Sequence, residues 1–144
     1  GRCLDLLYLP MDFRKKCNLG YAFVNFCTTD QVEAFRLLID GTKLPHFKSS
    51  KLIVTAEARV QGFAANFDSF RHSLVMARNV APEYQPMIFD PTTGAEVPFP
   101  APVGQLRSVK IRKGAEERGT WEGLRKRLVA CVREVEERGR ASMV

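Results

Sequence analysis

The sequence predicts an α+β fold, an antiparallel sheet packed on helices with a C-terminal helical extension. Three observations carry that expectation. Two short runs, Leu4–Leu9 and Gly20–Phe26, are rich in aromatic and branched residues that alternate with period two around a polar loop. Val32, Phe35, Leu38 and Ile39 recur instead at helical spacing. Finally, Thr120 to Glu137 keeps Trp121, Leu124, Leu128, Cys131, Val132 and Val135 on one side, as an amphipathic helix does.

In chain order, Leu4–Leu9 is apolar except for Asp5, so a strand there places Leu4, Leu6 and Tyr8 in the core and Asp5 and Leu7 on the open face. Pro10 ends it. Met11 to Asn18 reads as a polar loop containing Arg14, Lys15 and Lys16, after which Gly20 opens a strand expected to pair antiparallel with the first. In that second strand Tyr21, Phe23 and Asn25 share one face, and Ala22, Val24 and Phe26 share the other. A two-layer domain needs one apolar face only, so an aromatic stripe on each is more than packing requires.

Thr28, Thr29 and Asp30 supply N-cap candidates for the helix that follows, with Glu33 three residues after Asp30 as in a capping box and Gly41 closing it. Lys51 to Val60 alternates Leu52, Val54, Ala56 and Ala58 against Lys51, Ile53, Thr55 and Glu57, the pattern of a half-buried strand. Phe63, Phe67, Phe70 and Leu74 mark a second amphipathic helix. Prolines at 82, 86, 91, 98, 100 and 102 exclude regular structure except a short hairpin, in which Asp90–Gly94 turns Met87–Phe89 back onto Glu96–Val97. A basic strand-like piece, Leu106 to Lys113, leads into the last helix.

At 144 residues and 45% hydrophobic, the chain has room for one domain with an extension, and its 22 basic against 16 acidic side chains, net +6, suit an anionic partner without demanding one. Residues 104–144 hold 11 basic and 6 acidic groups, net +5, against 11 and 10 in residues 1–103, so the excess charge lies in the tail. Cys3, Cys17, Cys27 and Cys131 have no paired spacing, and His46 and His72 are the only histidines, so free thiols of a reducing compartment and no metal site are expected. No apolar run reaches membrane-spanning length and no charged leader precedes an apolar stretch; a soluble, intracellular protein of nucleus or cytoplasm is expected. The chain begins with Gly1 rather than methionine, so its natural N-terminus is expected to lie further upstream. No Ser/His/Asp set, carboxylate pair or phosphate-cradling glycine loop is present, so no catalytic residues, cofactor or enzyme activity are expected.

Leu19–Phe26 matches, at every position but the first, the ribonucleoprotein octamer of basic residue, Gly, aromatic, Gly/Ala, Phe, Val, any residue, aromatic. Together with Leu9–Phe13, Lys16–Leu19, Ala58–Gly62, Pro86–Phe89 and Pro98–Pro100, it resembles the C-terminal RNA recognition motif of the Mei-two-like proteins, over roughly residues 4 to 103. The resemblance implies a ferredoxin-like sheet, RNA binding and a meiotic or developmental role. It is partial: the chain matches the motif from its second strand onward, without the first strand and first helix. Either the chain is a piece of the motif, the preferred reading, or Leu106–Lys113 and the Trp121 helix stand in for the absent elements. Leu19 and Glu57 depart from the motif's usual basic and aromatic residues.

The expected organisation is a partial RNA recognition motif over 2–60, a family-specific helix and Pro-rich extension over 61–103, and a basic tail with an amphipathic helix over 104–144. By the resemblance, Tyr21 and Phe23 fall where bases stack on single-stranded RNA; the alternative is a strand buried on both faces. Asn25 is a base-edge hydrogen-bonding group or a solvent-facing amide. Arg14, Lys15, Lys16 and Arg59 are candidate phosphate contacts, against a solvated loop and a surface ion pair. The Phe63, Phe67 and Phe70 helix is a candidate protein-binding element, with core packing as the alternative; the basic C-terminal helix is a candidate auxiliary RNA-binding or partner helix, with Arg125, Lys126, Arg127 and Arg133 touching phosphate, against a solvated basic face on a packing helix. The leading reading is RNA binding. The others are a protein-interaction module of the same fold and a truncated fragment with little independent function.

Overall fold

In the computed structural model, the residues described are 4–12, 17–45, 47, 49–77, 80–100 and 118–142. β1 (Leu4–Tyr8) is central to a four-stranded antiparallel sheet. One of its edges pairs with β4 (Phe23–Phe26), with Leu4 opposite Phe26, Leu6 opposite Asn25, Leu7 opposite Val24 and Tyr8 opposite Phe23. Its other edge pairs with β5 (Met87–Phe89), which closes the expected hairpin with β6 (Glu96–Val97). The Asp90 carboxylate holds that hairpin's turn by accepting from the Thr92 amide at 2.8 Å, and Gly94 takes the positive φ of +76° that the turn requires.

The register corrects the face assignment within β1. A bulge between Leu4 and Leu6 brings Leu4 and Leu7 onto the same side. There they form the main core with Phe26, Met87, Phe89 and Val132, and Val24, Phe35, Leu128 and Val129 pack around it. Leu6 and Tyr8 share the opposite face with Asn25 and Phe23, because directly paired residues of antiparallel strands point the same way.

α1 (Thr29–Ile39) begins at Thr28, not Asp30: the Thr28 hydroxyl accepts from the Gln31 amide while the Gln31 side chain accepts from the Thr28 amide. The segment expected as a polar loop over Met11–Asn18 pairs its own ends in a two-residue ladder, β2 (Met11–Asp12) with β3 (Cys17–Asn18). The strand expected over Lys51–Val60 does not form. That segment keeps one bridge, Lys43 to Leu52, and its supposed inner residues point outward, Val54 being 87% exposed. The cause is a missing neighbour: among the described residues no strand lies beside it, so nothing receives its apolar side. It is held instead at the end of α1, where Asp40 Oδ1 accepts from the Thr55 amide at 2.7 Å and the Thr55 hydroxyl at 2.9 Å. These bonds hold the Asp40 carboxyl below the usual carboxylate range.

The last helix, α3 (Arg118–Ser142), packs beside α1 on the core face of the sheet. Val132 lies in the core, and Trp121, Cys131 and Val135 are buried with it. The Cys131 thiol donates to the Pro45 carbonyl at 2.7 Å. Gly139 permits the close approach of the two helices, since a Cβ there would stand 3.2 Å from Leu38 Cδ1. The Trp121 helix thus covers the sheet in the manner of a second motif helix, while Leu106–Lys113 lies outside the described residues.

A smaller cluster covers part of the opposite sheet face. Val75, Met76, Ala77 and Val80 pack there with Tyr8, Phe70, Tyr84 and Phe99. α2 (Phe63–Arg71) contributes Phe70, whose ring meets Tyr8 edge-on at 4.9 Å. Phe67 lies between Phe63 at 5.7 Å and Phe99 at 5.1 Å, so most of this aromatic stripe packs within the chain.

Candidate nucleic-acid interface

The covering layer packs on Tyr8 at the end of β1 and leaves the β4 side of the sheet face open; on β6, Val97 of the same face is also 41% exposed. Phe23 is 36% and Tyr21 52% exposed. The two rings meet edge to face, with centroids 5.6 Å apart and planes at 90°. Tyr8 adds a third ring, nearly parallel to Phe23 at 8° and 6.4 Å. Gly20, at φ +86°, allows the turn that delivers Tyr21 to this cluster before the regular strand begins at Phe23. Tyr8 was expected in the main core. Its position opposite Phe23 instead joins the exposed rings to the covered ones, and burial, with a smaller effect of Tyr21, raises its hydroxyl pKa.

Asn25 lies two residues along the same face. Its amide nitrogen donates to Asp5 Oδ1 at 2.7 Å and to the Phe26 carbonyl at 3.2 Å. Asp5 is the residue set out of register by the β1 bulge, and it is 6% exposed. Burial raises its pKa, opposed by hydrogen bonds from Asn25, from Cys27 and from its own backbone. Sequence alternation had put this carboxylate on an open face; the bulge and the Asn25 contact were not legible there.

The positively charged candidates divide. Arg14, Lys15 and Lys16 lie outside the described residues, between the paired positions Asp12 and Cys17. Arg59 is exposed. On α3, Arg125 is turned inward, donating to the Gln85 carbonyl at 2.9 Å and pairing with Glu122 at 3.4 Å, and burial lowers its pKa. Arg133 donates to the Gly94 carbonyl and lies over the Phe89 ring at 5.2 Å. Lys126 and Arg127 stay at the surface, Arg127 over the Phe47 ring at 5.4 Å. The basic helix is therefore in part an internal clamp on the β5–β6 hairpin. Among the described residues no cluster of three or more metal-ligating side chains occurs, and no helix is long and apolar enough to cross a membrane.

Residues 2–71 match the family described as RNA recognition motif 2. Over 120 residues the chain is 39% identical to Meiosis protein mei2 of Schizosaccharomyces pombe, a span of 81% of this chain and 16% of that protein. The chain belongs to the Mei2-like RNA recognition motif family. It is also 41% identical over 87 residues to Protein MEI2-like 5 of Oryza sativa, covering 60% of this chain and 10% of the relative. With Protein MEI2-like 1 of Arabidopsis thaliana the identity is 37% over 99 residues, 67% of this chain and 11% of the relative. The Mei2-like chain thus spans a small part of the length of the relatives it matches. The match to Meiosis protein mei2 is longer than the motif itself, so the likeness extends beyond residues 2–71.

Proposed function

We propose that this Mei2-like chain binds single-stranded RNA, with bases stacked on Tyr21 and Phe23 and phosphates met by Arg14, Lys15, Lys16 and Arg59. The observation that carries the reading is the exposure of two aromatic rings in the family octamer, at the start of β4 and just before it, on a sheet face that is covered elsewhere in part by a packed apolar cluster. A ring buried on one side and wet on the other gives a base a flat apolar surface, and stacking accepts any base because each has a π face. The name of one relative, Meiosis protein mei2, suggests service in meiosis. Exposed Cys17 and buried Cys131 are free thiols, in keeping with action in the nucleus or cytoplasm. No reaction is proposed.

The test is fluorescence anisotropy with labelled oligoribonucleotides on the chain and on its Tyr21→Ala/Phe23→Ala variant. Each stacked base contributes roughly 1–3 kcal/mol, so the variant should lose at least about tenfold in affinity while its far-ultraviolet circular dichroism is retained. Undiminished binding by a folded double variant removes the stacking reading. A second reading, protein binding through α2, has one observation in its favour: Phe63, at the helix start, is 37% exposed although it stacks on Phe67. Loss of a protein complex on Phe63→Ala with RNA affinity intact would support it.

A further inference from the structure

The hydrogen bonds around Asn25 carry a consequence for base selection, and it rests on the RNA-binding reading. An asparagine amide has two N–H donors and one carbonyl acceptor. Both donors of Asn25 are engaged inside the protein, by Asp5 Oδ1 at 2.7 Å and by the Phe26 carbonyl at 3.2 Å. The orientation has a chemical basis, because a carboxylate only accepts and so selects the nitrogen of the amide over its oxygen. Asp5 is itself fixed: it is 6% exposed, sits in the bulge of β1, and receives further hydrogen bonds from the Cys27 thiol and its own backbone. The Asn25 oxygen therefore points away from these partners, on the partly exposed sheet face that also carries Phe23, with no hydrogen-bond partner among the described residues.

We infer that Asp5 locks Asn25 as a hydrogen-bond acceptor, so that the nucleotide beside Phe23 is selected for an exocyclic amine on its base. Adenine and cytosine present such an amine at N6 and N4. Uracil presents a carbonyl at the equivalent position, which would face the Asn25 oxygen acceptor to acceptor. A free asparagine would rotate to satisfy either base; the locked one does not. Asn25 would be the reading residue and Asp5 a positioning residue that never meets the RNA.

The experiment compares binding of labelled single-stranded RNA 8-mers of adenosine, of purine riboside, which keeps the stacking surface but lacks the N6 amine, and of uridine. One neutral hydrogen bond corresponds to roughly a two- to tenfold preference, so the chain should bind the adenosine oligomer at least about threefold more tightly than the other two. Asn25→Ala should bring all three affinities within about twofold of one another while stacking-dependent binding persists. Asp5→Asn, close to isosteric, should restore uridine binding relative to adenosine by freeing the Asn25 amide to turn. A merely structural role for Asp5 would lower the three affinities together and leave their ratios fixed, which would overturn the assignment. Equal affinities in the unmodified chain would overturn it too, while leaving RNA binding intact; no binding to any oligomer would instead refute the reading on which it rests. A fold check that needs no RNA is the Asn25 side-chain amide resonance, expected to exchange slowly with solvent and to lose that protection in Asp5→Asn.

Discussion

The contrast between Val132 and Val54 offers a test in which one chemical change is made in two environments. Val132 is 2% exposed in the core formed by β1, β4, β5 and α3, whereas Val54 is 87% exposed in the segment expected to be a buried strand. Truncating Val132 to alanine removes two buried carbons. At about 0.8 kcal/mol each the transfer loss is about 1.6 kcal/mol, and the cavity left between α3 and the sheet brings the cost to roughly 2–3 kcal/mol. For a chain of this size that is a fall of roughly 8 °C in Tm. Val54→Ala removes the same atoms from water and should stay within about 0.5 kcal/mol of the parent. Urea denaturation followed by circular dichroism, with thermal melts as a second measure, separates the two. Equal effects would refute the reasoning: it would mean either that α3 is not docked on the sheet or that residues 51–60 are buried after all.

Asp5 is expected to make stability depend on pH. Its pKa is raised in the fold, so its ionisation opposes folding: the contribution is fully present below the unfolded value near pH 4 and is lost as pH rises through the folded value. Asp5→Asn should therefore flatten the decline in stability that begins at about pH 4, and an unchanged profile in urea titrations would contradict this. Thr28→Ala, which removes the hydroxyl that accepts from the Gln31 amide, should cost about 1 kcal/mol at the start of α1 in the same denaturation assay. If Arg59 meets a phosphate, Arg59→Gln should lower the slope of log affinity against log salt by about 0.7, the increment for one single-strand phosphate contact, whatever the RNA sequence.

The elements legible in the sequence were those whose signal is local. Thr28 and Gly41 bound α1, Asp90–Gly94 turns the β5–β6 hairpin, and the spacing from Trp121 to Val135 gives α3 and its buried side. Each of these is decided within a few residues by capping, turn chemistry or periodicity. Lys51–Val60 was misread because alternation reports a capacity to pair, while pairing itself needs a neighbour that only the whole topology supplies. The β1 faces were misassigned for a related reason: one bulged residue moves Leu7 into the core, and period-two reasoning has no means of seeing it. At the candidate site, the octamer pointed to Tyr21 and Phe23. Tyr8 and Asp5 enter only through the pairing of β1 with β4.

How far the exposed rings extend is set by α2, and this can be moved. Phe70 meets Tyr8 at 4.9 Å and holds the covering cluster at the end of β1, so it limits the open platform to Tyr21 and Phe23. Phe70→Ala should uncover Tyr8, already near-parallel to Phe23, as a third stacking surface. The cost falls on stability: a ring in this half-exposed position is worth less than a core phenylalanine, roughly 2–3 kcal/mol. The two properties should then move in opposite directions, a lower unfolding midpoint with RNA affinity unchanged or increased. If affinity falls together with stability, Phe70 does not merely cover the platform but belongs to the surface the RNA uses, and the boundary drawn at β1 is in the wrong place. Adding Tyr8→Ala to Phe70→Ala separates these outcomes, because any affinity gained by uncovering Tyr8 must vanish with its ring.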